Sequence, residues 1–239
     1  MAEKRKRQTA EEFMAELEPT PEIQARRRAE GQRVVEERMA QYAAAAAPVL
    51  ADLAAAGYVV DDITELSDLG TRARGAVPIL MRWLPRVEES SVQLTILGVL
   101  HAKWATEALP GLVAEFERLP GKPDGAPGRR WDVANVLADI ASDVVFDDVV
   151  RLVTDRRYGR DREMLVLALA RMRDPRAVDV LIGLLDDDDV AGHAVMALGR
   201  LGAQRAAPVV EPFLNHRKAW VRKEARTALK RIERAGSRS

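Results

Sequence analysis

DVAGHAVMALGRLG, the sequence of residues 189–202, is typical of a helix that packs against other helices. Its core residues recur at i, i+4, i+7, i+8 and i+11, the spacing of one helix face: Val190, Ala194, Ala197, Leu198 and Leu201. Residues 197–201 have counterparts at 168–172, at 228–232 and, more loosely, at 136–140. A helical repeat with a period of about 30 residues predicts stacked helix pairs.

The starts of the repeats support this register. Pro78, Pro110 and Pro208 occupy aligned positions early in predicted helices, where the missing proline N–H costs no hydrogen bond. Five helix pairs are predicted, at roughly 76–101, 108–141, 145–172, 174–202 and 205–234. A Pro/Gly-rich insertion at 119–128 is predicted to form a mobile loop in the second pair. Stacking the pairs would create one continuous core in an all-α chain.

The N-terminal part of the chain has a different character. Residues 1–19 are expected to be a tail with a short helix that starts at the capping-box spacing of Thr9 and Glu12. Residues 20–69 are predicted to form a long helix, ending at Gly57, and a linker, before repeats that occupy 70–239. The first half of this helix is highly charged, so it either mediates self-association or remains solvated while its second half docks.

Composition excludes several classes of function. The chain has 239 residues with 37 basic and 37 acidic side chains, so its net charge predicts neither nucleic-acid nor membrane binding. It has no cysteine, which excludes disulfides, thiolate metal sites and cysteine nucleophiles. No apolar stretch approaches the ~20 residues that span a bilayer, and the N-terminal residues are not expected to act as a secretion signal. A cytoplasmic protein without membrane contact and without a cofactor is expected.

A family resemblance adds to this interpretation. The stretches DPRAVDVLIGLL at 174–185 and WVRKEARTAL at 220–229, together with residues 189–202, resemble HEAT-like repeats, and the resemblance covers about 76–234. The chain is similar to uncharacterised bacterial HEAT-repeat proteins with a motif like Tyr158-Gly159-x-x-Arg162. This resemblance implies a right-handed α-α superhelix, usually with a protein-binding role, and it implies no reaction.

One column of the repeats holds arginine. In the family pattern an Arg stands near the start of each second helix, and Arg130, Arg162 and Arg222 occupy this position, while Ala191 departs from it. We expect the three arginines to bond to carbonyls and acidic groups in the turns of adjacent repeats. A structural role is therefore predicted for them, with a ligand role as the alternative.

Candidate chemical groups are few. The histidines, His101, His193 and His216, lack the spacing of metal ligands, so no metal site is expected. His193 is interpreted as a partly exposed residue on the surface of a second helix. The acidic run 186–189 is predicted to cap a helix, because it lacks the alternating ligands and distal Glu of a calcium loop.

Together these observations favour a non-catalytic scaffold or adaptor that presents a solenoid surface to a protein partner. The candidate partner-binding residues are Glu163, Val166, Leu167, His193, Val195, Met196, Lys223 and Arg226. The apolar members, Val166, Leu167, Val195 and Met196, are expected to form a surface patch or, alternatively, to face a neighbouring helix.

Alternative functions remain open. Residues 217–238 hold nine Lys/Arg and two Glu, a basic patch that could bind nucleic acid. Trp131-Asp132 resembles the Trp and Asp of DNA glycosylases built from HEAT-like repeats, which act on alkylated bases. A resemblance to HEAT-like bilin lyases rests on the fold alone.

Overall fold

The computed structural model describes residues 21–121 and 128–237, and within these ranges all regular secondary structure is helical. The α-helices are α1 Pro21–Ala55, α2 Val77–Trp83, α3 Ser90–Leu100, α4 Leu109–Arg118, α5 Arg129–Ile140, α6 Phe146–Thr154, α7 Glu163–Leu169, α8 Ala177–Gly183, α9 Ala191–Leu201, α10 Ala207–Val210 and α11 Ala219–Gly236. Short 3₁₀ segments join them at Ile63–Ser67, Gly70–Ala76, Lys103–Ala108, Asp143–Val145, Arg156–Arg162, Leu184–Asp186, Gln204–Ala206 and Glu211–Asn215.

Helices α2 to α11 form the predicted pairs: α2 with α3, α4 with α5, α6 with α7, α8 with α9, and α10 with α11. The predicted all-α solenoid of helix pairs is therefore confirmed. Pro78, Pro110 and Pro208 lie in the first turn of α2, α4 and α10, where no N–H is needed.

The second helix of each pair packs against the second helix of the next, giving the order α3, α5, α7, α9 and α11. Small side chains allow this stacking, since Ala168, Ala197 and Ala228 are almost fully buried at corresponding positions. Leucines beside them, such as Leu169 and Leu198, are also completely buried. Each fully buried leucine stabilises the fold by about 1.5–3 kcal/mol relative to an exposed one.

The contacts within the chain separate residues 1–45 from a compact unit of residues 46–239. In the described part of the first unit, the side chains of residues 21–41 are all exposed on α1. Charged residues dominate this part of the helix, and Arg33 and Glu37 form an ion pair of 3.5 Å across one turn. Among its apolar side chains, Met39 is 66% exposed.

The compact unit begins with the last turns of α1. Ala46, Val49 and Leu53 are buried there. The carboxylate of Asp52 accepts hydrogen bonds from Trp83 Nε1 at 2.7 Å and from Arg82 Nη2 at 2.8 Å, which ties α1 to α2.

The segment after α1, predicted to be a linker, also contributes to the core. Its 3₁₀ turn buries Ile63 and Leu66 completely. The predicted short helix at Thr9 and residues 122–127 of the predicted loop lie outside the described residues. No helix in the described ranges is long and apolar enough to cross a membrane.

Candidate functional site

Arg162 is buried completely at the entrance to α7. Its Nε donates to Gly159 O at 2.8 Å, and its Nη1 donates to Val153 O at 2.8 Å and to Asp187 Oδ2 at 2.9 Å. Val153 lies in the last turn of α6 and Gly159 in the 3₁₀ segment between α6 and α7, whereas Asp187 belongs to the following pair. The side chain therefore closes one turn and joins it to the next repeat.

Asp187 is itself almost buried, at 7% exposure. Burial is the largest single influence on its carboxyl group and opposes ionisation. Hydrogen bonds from Arg162 and from the Asp189 N–H, with the charges of Arg162 and Arg156, outweigh burial and lower the pKa of Asp187 below its ordinary value. The acidic run 186–189 thus contributes a buried anion. It does not cap α9 as predicted, because the residue at the N-cap position is Val190, which makes no side-chain cap hydrogen bond.

Arg130 makes the same set of contacts one repeat earlier. Its guanidinium donates to Phe116 O at 3.1 Å and to Leu119 O, and its Nη1 reaches Asp161 Oδ2 at 3.2 Å. The group also stacks 4.9 Å from the ring centroid of Tyr158. Arg130 and Arg162 therefore each pair with a carboxylate from the following helix pair.

Arg222 occupies the corresponding position at the start of α11. Its Nη1 donates to the carbonyls of His216 at 2.8 Å and of Arg217 at 3.0 Å. The arginine column is therefore engaged with the protein's own turns at all three positions.

The predicted apolar patch needs a correction. Val166 and Val195 are fully buried. Helices α7 and α9 each lie between two other second helices, so residues beside the core stripe are covered as well. Leu167 and Met196 are half-buried and reach the surface. Side chains of the second helices that reach solvent between their neighbours are called the open face below.

The open face is ordered in three columns across α5, α7, α9 and α11. The first column holds Asp132, Met164, His193 and Glu224, all half-buried. The second also consists of half-buried residues: Asn135, Leu167, Met196 and Thr227. The third is exposed and consists of Asp139, Arg171, Arg200 and Arg231. Glu163 lies beside this face and pairs with Arg160 at 2.8 Å.

Helices α9 and α11 approach each other closely because two glycines face α11. A Cβ atom on Gly199 would lie 2.5 Å from Ala228 Cα, and one on Gly192 would lie 2.2 Å from Trp220 Cη2. Gly192 meets Trp220 near the N-terminal ends of the two helices, and Gly199 meets Ala228 nearer their C-terminal ends. The two helices therefore run parallel. The surface along this seam is called the α9–α11 groove below, and its half-buried and exposed side chains are His193, Met196 and Arg200 on α9 and Trp220, Glu224, Thr227 and Arg231 on α11.

An aromatic cluster lies at the N-terminal end of the groove. The rings of His193 and Trp220 have centroids 5.3 Å apart, and Trp220 is 42% exposed. His193 Nδ1 is buried, and no described residue offers it a hydrogen bond. Burial lowers the pKa of His193 most, and the positive charges of Arg160, Arg200 and Lys218 lower it further against the opposing effect of Glu163.

Comparison with known families identifies the repeat. The family model of the PBS lyase HEAT-like repeat matches residues 161–187, which begin with the Arg130 partner Asp161 and include both Arg162 and Asp187. The chain is a HEAT-like repeat protein. A comparison with curated proteins found no match. The repeats identify a scaffold of stacked helix pairs and assign no partner to it.

In this HEAT-like repeat protein, the open face brings together only part of the predicted partner-binding set. Leu167, His193 and Met196 lie on it, but Arg226 does not line the α9–α11 groove. Arg226 and Arg231 are five residues apart on α11, so their side chains project about 140° apart around the helix axis. Lys223 is exposed on the same helix.

The sequence interpretation missed the C-terminal end of the groove. A pocket of about 320 Å³ lies there, and its lining consists of Gly199, Arg200, Leu201, Gly202, Arg231, Arg234 and Ala235. Gly202 ends α9 with φ +62°, a conformation that favours glycine. The glycines within the predicted helix, Gly192 and Gly199, were the signal of a close approach. Among the described residues, no three His, Asp or Glu side chains form a group that could hold a metal ion.

Proposed function

We propose that this HEAT-like repeat protein is a non-catalytic scaffold that binds a segment of a partner protein in the α9–α11 groove. The observation that carries the proposal is Trp220, which is 42% exposed although its ring rests against Gly192 and beside His193. A tryptophan held in place on a surface loses little conformational entropy on binding. Trp and Arg are also the residues most enriched among those that dominate binding energy.

The rest of the groove suits an extended or helical peptide. From His193 to Arg200 is about 10 Å along α9, and half-buried Met196 lies between them. Arg200 donates to Met196 Sδ at 3.4 Å, so the two side chains lie side by side on α9. An aromatic anchor, an apolar centre and a cationic end form an amphipathic surface that is typical of peptide recognition.

Selection of peptides from a displayed random library on the full chain tests the proposal. Bound peptides should shift backbone NMR signals of α9 and α11. Met196→Asp and Trp220→Ala should each weaken the affinity for these peptides about tenfold or more, because a charged or truncated side chain loses its apolar contact with the peptide. Val209→Asp, at a 38% exposed position of α10, is the matched control and should bind like the parent chain.

Equal affinity of all three variants, or signal shifts confined to other helices, would contradict the proposed groove. Charge reversal of Arg226, a candidate partner-binding residue from the sequence, distinguishes binding in the groove from binding on the far side of α11. If Arg226→Glu weakens the peptides more than Met196→Asp, the partner binds the far side instead.

A second candidate function is nucleic-acid binding through α11, supported by its exposed cations Lys223, Arg226, Lys230, Arg231 and Arg234. It predicts binding of duplex DNA that falls steeply with salt concentration. Absence of gel retardation at low salt would exclude it. The glycosylase interpretation of Trp131 and Asp132 would additionally require release of an alkylated base.

A further inference from the structure

We propose that the pocket between the C-terminal ends of α9 and α11 binds a phosphate monoester displayed by a phosphorylated protein segment. The pocket is lined by Arg200, Arg231 and Arg234 and by Gly199 and Gly202. Anion binding by the pocket is independent of the proposed function, whereas the commitment to a protein segment rests on it.

The three arginines differ from most others in the repeats because no carboxylate neutralises them. Within residues 21–121 and 128–237, no Asp or Glu oxygen lies within 4.0 Å of Arg200, Arg231 or Arg234. Three like charges around one pocket repel each other. An anion that enters the pocket relieves this repulsion.

The third column of the open face shows which of its arginines lack a carboxylate partner. Asp139 on α5 pairs with His101 at 2.8 Å and with Arg171, in the turn just after α7, at 3.1 Å. The next two positions of the column are Arg200 and Arg231, and neither forms an ion pair with an Asp or Glu within the described ranges. The repeat therefore neutralises its first arginine and leaves the next two, joined by Arg234 from the following turn of α11, facing one pocket.

The chemistry of the pocket matches a phosphate monoester. This group carries a charge of about −1.5 to −2 at pH 7 and offers three strong acceptor oxygens. Guanidinium groups bind such oxygens in pairs of parallel hydrogen bonds. The pocket volume of about 320 Å³ accommodates the phosphoryl group together with the side chain that carries it.

The remainder of the groove favours a protein segment over a nucleic acid. Glu224 lies on the face of α11 that carries Trp220 and Arg231, about two turns from Arg231. Glu163 acts electrostatically on His193 at the same end of the groove. A polyanion that followed the groove would meet these carboxylates, whereas a peptide with one phosphate in the pocket would place uncharged residues there.

Calorimetric titration of the full chain with phenyl phosphate, at constant ionic strength, tests the pocket. Saturable binding is expected. Arg231→Gln and Arg234→Gln should each weaken it about tenfold, since each removes charge-assisted hydrogen bonds. Arg226→Gln removes the same charge from the far side of α11 and should change the affinity less than twofold. Non-saturable binding, or equal losses in all three variants, would overturn the proposal.

A second arm identifies the carrier of the phosphate. Phosphoserine peptides with randomised flanking residues should bind at least tenfold more tightly than phenyl phosphate and than the same peptides without phosphate. Equal affinity of phenyl phosphate and the peptides would overturn the commitment to a protein segment. Tighter binding of duplex DNA, with equal dependence on Arg226 and Arg231, would overturn it in favour of nucleic acid.

Failure of the pocket and failure of the groove give different results. If unphosphorylated peptides bind the groove and phenyl phosphate does not bind, the pocket inference is wrong and the proposed function stands. If phenyl phosphate binds through Arg231 and Arg234 but no peptide binds, the proposed function is wrong, and the pocket binds an anion that is not part of a protein segment.

Discussion

Arg162 Nη1 lies 2.9 Å from Asp187 Oδ2, and this buried contact joins the third helix pair to the fourth. The guanidinium is fully buried and also holds the carbonyls of Val153 and Gly159. The buried charge is compensated by Asp187 and by the oxygens to which Nε and Nη1 donate, whereas Nη2 has no hydrogen-bond partner among the described residues and lies 3.8 Å from Asp189 Oδ2. The contact therefore links the two helix pairs through one buried ion pair.

Replacing Asp187 with Asn should therefore destabilise the chain by about 3–5 kcal/mol, since the buried Arg162 cation loses its counter-charge. Urea denaturation followed by circular dichroism measures the change. Asp188→Asn is the matched control, because its carboxylate is 77% exposed and pairs with Arg217 on the surface. The control should change the free energy of unfolding by less than about 1 kcal/mol. Equal effects of both variants would show that the buried pair is not important for stability.

The same pair predicts a sensitivity to acid. The pKa of Asp187 is lower in the folded chain than in the unfolded one. The stability that its carboxylate contributes is therefore present above the unfolded pKa of about 3.9 and is lost as pH falls through the lower folded pKa. Unfolding free energies measured from pH 6 to pH 2 should fall less steeply below pH 4 in Asp187→Asn than in the parent chain. Parallel curves would contradict this assignment.

Gly199 should not tolerate a side chain. A Cβ there would lie 2.5 Å from the Cα of Ala228, and backbone atoms cannot move aside as a flexible side chain can. Gly199→Ala should cost about 1–3 kcal/mol through overpacking, in spite of the better helix propensity of alanine. Gly183→Ala, at the end of α8, has no atom within 4 Å of the new Cβ and should be neutral or stabilising. Thermal unfolding of both variants distinguishes a tight crossing from a general intolerance of substitution.

His193 should titrate below its ordinary pKa of 6.5, because burial disfavours its cation. Since the folded pKa is the lower one, the associated stability is present above pH 6.5 and is lost as pH falls towards the folded pKa. NMR titration of the imidazole proton signals measures the pKa directly. Trp220→Ala should move it upward, because the indole is a neighbour that shields the ring from water. A pKa at or above 6.5 in the parent chain would contradict the buried environment.

Local sequence patterns predicted much of the fold. The helix pairs were predictable because the apolar stripe around Ala197 and Leu198 repeats every ~30 residues and because prolines mark the helix starts. The same alignment of the repeats also placed Arg130, Arg162 and Arg222 at one equivalent position. Which of four consecutive aspartates pairs with Arg162 was not predictable, because it depends on the path of the chain between α8 and α9.

The exposed surface was harder to predict. Val166 and Val195 stand one residue after a core position, and a helix drawn alone places them at the edge of its buried stripe. Their burial depends on a second helix on each side, whose distance is set by small residues such as Gly199 and Ala228. The sequence pattern identifies these small residues but does not measure the distance.

The sequence by itself determined the helices, their pairing and the arginine column, because each depends on periodicity within one chain segment. Only the tertiary structure decided that Trp220 rests on Gly192 and that Arg200, Arg231 and Arg234 converge on one pocket. Those contacts join residues about 30 positions apart through the offset and crossing of two helices. Offset and crossing result from side-chain packing across the seam, which no single segment specifies.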